Sequence, residues 1–121
     1  MTPLQRMPSR GEIWFTQLAT DPPEKGTRPV LIVSSEARNR HPRAETVLVA
    51  PLSTSVHKAD SPTHMLLVGG ETGLQEDSIV RAEDISAIRK TALIEPRVGL
   101  RRVSDRRICE LAVMVRIAMG C

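Results

Sequence analysis

Arg28 stands directly before Pro29 and the apolar run at 30–33, and Ser53, Thr54 and Ser55 close the next apolar run at 47–52. An arginine carries a forked, permanently charged set of donors, and a hydroxyl can donate to a phosphoryl oxygen. If the two runs are neighbouring antiparallel strands, the residue before the first and the residues after the second share one rim. A guanidinium near hydroxyls on such a rim suits a phosphate. Arg81 follows the shorter apolar pair Ile79 and Val80, and Glu83 comes two residues later, so both are candidates for the same rim. The same residue types have plainer uses. Hydroxyls at strand ends cap turns, and an arginine beside a proline is commonly solvated. On the residues alone both readings stand.

Other chemistries find little to work with. His41, His57 and His64 have no partner three to five residues away and no cysteine companion, so a zinc site is not expected. There is no phosphate-binding glycine loop of the P-loop or G-x-G-x-x-G kind. Gly69 and Gly70 with Gly73 are too loosely spaced for one and read as a hairpin turn. No G-x-S-x-G and no Cys–His signature of a nucleophilic enzyme is present.

The elements that must hold these residues are mostly short strands. Residues 12–18 (EIWFTQL) read as a strand, and ATDPPEKGT at 19–27 as a loop. The run at 29–33 is so continuously apolar that it predicts a strand buried on both faces. Residues 34–43 fit one helical turn capped by Ser35, then a turn. Residues 45–53 predict a strand that tolerates Pro51 near its end, and 54–63 a polar loop. Residues 64–68 predict a short strand. Residues 78–88 begin as a strand, and their second part is ambiguous between strand and helical turn. Residues 90–103 read as a short segment, a break at Pro96 and a brief strand.

The last segment has the strongest helical pattern. Ser104 is an N-cap with Asp105 behind it, at the positive end of the helix dipole. Val103 and Ile108 take the positions of a hydrophobic staple, and Ile108, Leu111, Ala112, Val115 and Met119 recur at helical spacing. Gly120 sits where the helix would stop. Short strands, polar turns and one terminal helix argue for a small, mostly antiparallel barrel with an α-helix packed on it.

The bulk properties agree with one compact unit. The chain has 121 residues, enough for a single core without disulfides. Residues 1–9 read as a loose tail and 10–121 as the domain. One Trp, one Phe and no Tyr mean that the core is built from Val, Leu, Ile and Met. Net charge is +3, and residues 81–121 carry nine Arg/Lys against five Asp/Glu, which hints at a polyanionic partner or merely at surface arginines. Cys109 and Cys121 form no disulfide or metal pattern, so a reduced compartment is expected. The start of the chain lacks the apolar core of a signal peptide, and no stretch approaches the roughly 18 apolar residues of a membrane span. A soluble, cytoplasmic protein with no membrane partner is the expectation.

Four blocks carry a resemblance. RGEIW (10–14), GTRPVLIV (26–33) with Asn39 and Arg40 after it, VLVAPLS (47–53) and GLQEDSIVRAEDISAI (73–88) follow the order and spacing of the MazF/PemK/Kid toxins of type II toxin–antitoxin pairs. The resemblance covers roughly residues 10–119. It implies a small SH3-like barrel with a C-terminal helix, and a homodimer. It also implies a sequence-selective endoribonuclease that cuts single-stranded RNA without metal or cofactor, leaving a 2′,3′-cyclic phosphate and a 5′-hydroxyl, and that a cognate antitoxin neutralises. That antitoxin is expected to be acidic and disordered at one end.

Residue by residue, the resemblance puts the catalytic arginine at Arg28 and the catalytic hydroxyl at Ser53. The arginine and acid that some members use in the fourth block fall on Arg81 and Glu83. RNA contacts are expected at Lys25, Arg40 and Thr54, and at Glu24 as a shifted substitute for a glutamate that some members carry. The chain departs from the family pattern in two places. Ser53 stands where the family has threonine, which keeps the hydroxyl and loses the stiff β-branched rotamer. Thr54 takes its role if the register slips by one. The first loop is shorter than in Kid-like members, and substrate choice resides largely in such loops. The alternative function is a non-catalytic member of the same barrel, either a gyrase-poison-like toxin or an RNA- or peptide-binding module.

Overall fold

The computed structural model describes residues 6–56 and 59–121; residues 1–5 of the expected tail, with His57 and Lys58 of the polar loop, lie outside them. Strand β1 (Ile13–Thr16) pairs antiparallel with β2 (Arg28–Ile32), and β2 with β3 (Thr46–Ser53). Beyond them come β4 (His64–Leu67), β5 (Ser78–Arg81) and β6 (Ser86–Arg89). The sheet order is β1-β2-β3-β5-β4, with β6 also on β3. The long strand β3 serves two partners: Thr46 to Val49 pair with β6, and Leu52 and Ser53 with β5. The antiparallel barrel expected from the sequence is therefore built around β3. It is not closed by a full ladder. A single bridge between Phe15 and Ile94 returns the chain after β6 to β1.

Two cores lie on opposite faces of β1–β3, because side chains alternate along a strand. One holds Trp14, Val30, Ile32, Val47, Val49 and Leu93. The other joins Ile13, Leu31, Ala50 and Leu52 to Met65 and Leu67 of β4, Val80 of β5, and Ile108 and Leu111 of the terminal helix. β2 feeds both, which is why its sequence has no polar alternation.

Helix α1 (Glu36–Arg40) is the expected single turn, with Ser35 Oγ accepting from the Arg38 amide at 3.2 Å. The glycine pair after β4 forms a second turn of helix, α2 (Gly69–Thr72), rather than a tight hairpin; Gly73 ends it with φ 80. The ambiguous stretch at 78–88 contains both elements: β5, a 3-10 turn Ala82–Asp84, then β6. The brief strand expected late in 90–103 is absent. There the amides of Arg101 and Val103 donate to the Thr72 and Gly11 carbonyls, on different elements, so no ladder forms. Gly11 makes that close approach possible: its φ is 90, and a Cβ there would run into the Val103 carbonyl.

Helix α3 (Asp105–Met119) has the expected caps, Ser104 Oγ accepting from the Arg107 amide and Gly120 at φ 79. Val103 and Ile108, the staple, are both buried. The expected apolar face holds in part. Ile108 and Leu111 are buried and Val115 is partly buried against the same core, but Ala112 and Met119 are exposed, as is Ile117.

The segment before β1 is tied down by carboxylates. Glu12 accepts from the Ser9 amide at 2.7 Å, Trp14 Nε1 at 3.1 Å and Arg6 Nη1 at 2.7 Å. Glu36 accepts from the Arg10 amide at 2.6 Å and from Asn39 Nδ2 at 3.2 Å. Burial alone would raise both carboxyls, but these donors outweigh it and hold both below the ordinary glutamate range. A depressed folded-state pKa stabilises the fold above the unfolded value and loses that contribution as pH falls through the folded one. Thermal unfolding should therefore show stability falling from about pH 4.3 downward. Glu12→Gln should be less stable than the parent at neutral pH and show a shallower acid loss.

Candidate active site

The barrel strands place the rim residues by register. Val30 pairs with Pro51 and Leu31 with Ala50. Continued along the two strands, that register sets Arg28 opposite Ser53, on one face of the sheet. A groove of about 550 Å³ opens there, and its walls include Lys25, Arg28, Ser53, Thr54, Gln75 and Arg97.

Arg28 is partly buried, with its side chain 22% exposed. Its Nη2 donates to the Leu52 carbonyl at 3.1 Å. Its Nη1 faces both oxygens of Asp21 at 3.4 Å. Those separations are long for charge-assisted bonds, which run nearer 2.7–2.9 Å. The carboxylate orients the guanidinium without saturating it, and an anion in the groove can take up the remaining donors.

Ser53 Oγ accepts from the Ser55 amide at 3.2 Å. This is the turn-capping use of a strand-end hydroxyl, and it leaves the O–H proton free to donate. The two readings of Ser53 are thus compatible. Thr54 lies just past the strand end, exposed, on the same groove wall. Lys25 ends a 3-10 turn Pro23–Lys25 beside the groove; Glu24 shares that exposed turn but is not part of the wall.

The fourth-block residues sit on the other side of Ser53. Arg81 borders a small cavity of about 100 Å³ together with Ser53, Ser55 and Ile79. Its Nε meets Asp84 Oδ2 at 2.8 Å. Glu83 lies outside both cavities, with Oε1 3.0 Å from His64 Nε2. Burial would raise the Glu83 carboxyl, but its own amide, His64 and Thr63 together lower it. Arg40 is more distant in the fold. It ends α1, pairs with Glu36 at 3.2 Å and lines a separate cavity with Met7, Pro42 and Lys90. Its neighbour Asn39 is fully buried and donates to the Ser34 carbonyl at 3.0 Å, a structural role.

Sequence reasoning missed Asp21 and Arg97. Asp21 sits in the loop before β2, seven residues from Arg28, at no spacing that marks a pair. Arg97 reaches the groove from the far side of the sequence, its segment held beside β1 by the Phe15–Ile94 bridge and by the Thr16 hydroxyl donating to the Ala92 carbonyl at 3.0 Å.

The chain is thus a small antiparallel β-protein with an arginine and a hydroxyl on the wall of one groove, a pair of donors of the kind that suits an anion. The model of the PemK-like, MazF-like toxins of type II toxin–antitoxin systems matches residues 9–119, and the chain belongs to that family. It is 28% identical over 116 residues to Endoribonuclease MazF of Staphylococcus saprophyticus, covering 94% of this chain and 92% of the relative. It is 31% identical over 88 residues to Endoribonuclease EndoA of Bacillus subtilis, covering 71% and 74%. Among solved structures, an endoribonuclease in complex with its cognate antitoxin from Mycobacterial species superposes with a TM-score of 0.70 at 26% identity, covering 93% of this chain and 95% of that one.

Proposed function

We propose that this chain is a MazF-type endoribonuclease toxin that cuts single-stranded RNA by attack of the RNA's own 2′-hydroxyl. The observation that carries the reading is Arg28 facing Ser53 across the β2–β3 register, on the wall of one basic groove. The 2′-oxygen bonds to phosphorus, the bond to the 5′-oxygen breaks, and the 2′-proton is lost while the leaving oxygen gains one. The products are a 2′,3′-cyclic phosphate and a 5′-hydroxyl. The nucleophile belongs to the substrate, so the protein must mainly stabilise charge, and the mechanism calls for no metal or cofactor.

Arg28 meets the extra negative charge of the phosphorane-like transition state. It is not the base, because guanidinium does not lose its proton near neutrality. Ser53 donates its free O–H to a phosphoryl oxygen. Arg81 flanks Ser53 from the other side and contacts the phosphate once it gives up Asp84. Glu83 accepts the 2′-proton only if RNA displaces His64, since the present hydrogen bonds make its carboxylate a weaker base. Lys25 and Thr54 hold the strand on the groove wall, with Glu24 and Arg40 contacting RNA farther out. A cognate antitoxin, acidic enough to compete for this basic groove, is the inhibitor. The uncovered apolar residues Ile117 and Met119 support a homodimer that includes α3. The site of action is the cytoplasm.

The test is cleavage of a mixed-sequence single-stranded RNA in EDTA by the parent, Ser53→Ala and Thr54→Ala proteins. Ser53→Ala should slow cutting roughly tenfold, as loss of one hydrogen bond to a charged group does. Thr54→Ala should change it little. The reverse order would shift the hydroxyl role to Thr54, and loss of cutting by the parent in EDTA would refute the metal-free mechanism.

A further inference from the structure

A single-stranded RNA groove needs planar surfaces on which bases stack. This chain has almost none among its aromatic residues. Its one tryptophan, Trp14, is fully buried, its one phenylalanine, Phe15, is 6% exposed, and it has no tyrosine. Stacking must come from elsewhere.

Arg97 has the required geometry. It is exposed, and its Cζ lies 4.5 Å from the centre of the Phe15 ring. At that distance the ring covers one side of the guanidinium. The rest of the side chain is exposed on the groove wall, and among the described residues no carboxylate forms an ion pair with it. The prop is rigid. Phe15 pairs with Pro29 in the β1–β2 ladder, one position from Arg28, and exchanges two backbone hydrogen bonds with Ile94 at 3.0 and 2.7 Å. The ladder therefore fixes the Phe15 ring's strand relative to Arg28, and Arg97 lies against that ring.

Arg97 also belongs to two cavities. It lines the groove that holds Arg28 and Ser53, and it lines a second cavity of about 300 Å³ with Arg6, Arg101 and Arg102. The acid in that second wall, Glu12, is already neutralised by Arg6 at 2.7 Å. Arg102 faces Glu36 at 3.7 Å and donates to the Arg10 carbonyl at 2.7 Å, so the positive charge of this adjoining cavity rests on Arg97 and Arg101.

We infer that Arg97, seated on Phe15, is the base-stacking platform of the RNA groove and divides the scissile-phosphate subsite from a second, arginine-lined subsite for a flanking nucleotide. This rests on the ribonuclease reading above. Phe15, the guanidinium and the base form a three-layer stack, and Arg101 meets the next phosphate. Stacking of this kind grips the strand without reading sequence, because every base offers a π-face.

The experiment measures binding by fluorescence anisotropy with two labelled probes of equal length. One is a mixed-sequence single-stranded RNA methylated at every 2′-oxygen, which cannot be cut by 2′-hydroxyl attack. The other is the same backbone without bases. The proteins are the parent, Arg97→Ala, Arg97→Lys and Arg28→Ala, each also assayed for cutting of unmodified RNA. The parent should prefer the base-bearing probe. Arg97→Ala and Arg97→Lys should each bind that probe roughly tenfold more weakly, since lysine keeps the charge and loses the plane. Arg97→Lys should bind the baseless probe as the parent does. Arg28→Ala should keep the preference for bases while losing cutting. If Arg97→Lys binds the base-bearing probe like the parent, while the parent still cuts RNA, the platform is refuted and the ribonuclease reading survives. A folded parent that neither binds the probes nor cuts RNA would refute both.

Discussion

Arg28→Ala is expected to lower RNA cleavage about 100- to 1,000-fold, the cost of removing one donor aimed at developing charge. The effect is large because the groove offers little to replace it. Lys25 is exposed on a turn, and Arg97 is already stacked on Phe15. Arg81 approaches from the other side of Ser53 and is bound to Asp84. The fold should survive. The side chain is at the groove mouth, its contact with Asp21 is long, and Pro29 and Val30 keep the strand in place. Thermal unfolding of the variant should fall by only about a few degrees, since Asp21, its side chain 9% exposed, loses its ion partner. Arg28→Lys should also be severely impaired, because a lysine cannot hold the Leu52 carbonyl and a phosphate with one forked group. Cleavage rates with saturating RNA check both variants. A change of less than threefold in Arg28→Ala would place the phosphate elsewhere.

The second large effect falls on stability. Trp14→Ala should destabilise the protein by about 3–5 kcal/mol. Trp14 is wholly buried and fills the core between β1, β2 and β3, where no other aromatic residue is present. Its Nε1 also donates to Glu12, and its ring lies 5.1 Å from the Arg6 guanidinium. Deleting it empties a cavity in a core of valines, isoleucine and leucines and leaves Glu12 short of a donor. Domains of this size have only about 5–15 kcal/mol in total. The midpoint of thermal unfolding should drop by about 10–25 °C. A drop of only a few degrees would mean that Leu18 and Leu93 collapse into the space.

Much of this architecture is legible in local patterns. The continuous apolar run at 29–33 does mark a strand with a core on each face, and the Ser35 and Ser104 caps start the helices where propensity says they should. These features depend on neighbours in sequence. What failed depends on neighbours in space. The last turn of α3 continues the helical apolar spacing, yet Met119 is exposed while Val115, one turn earlier, packs on the core. Residues 97–103 have strand-like composition, but their amides are claimed by α2 and by Gly11. The site divides in the same way. Arg28 and Ser53 meet through strand pairing, which alternation and loop length can suggest. Asp21 and Arg97 join them through a loop and through a long-range bridge to β1, for which no spacing rule exists. Glu83 illustrates the opposite case: sequence placed an acid near Arg81, and only the fold shows it bound to His64.

The central claim is that the substrate's own 2′-hydroxyl does the cutting while Arg28 and Ser53 hold the phosphate. The most direct measurement is the chemical identity of the ends produced when the purified parent protein cuts a mixed-sequence single-stranded RNA. A 2′,3′-cyclic phosphate on one side and a 5′-hydroxyl on the other is the predicted result, with the same RNA left intact where a 2′-deoxy sugar precedes the scissile phosphate. Ends bearing a 5′-phosphate, or cutting that continues past a 2′-deoxy sugar, would contradict the account, because either requires an external nucleophile that this mechanism does not use.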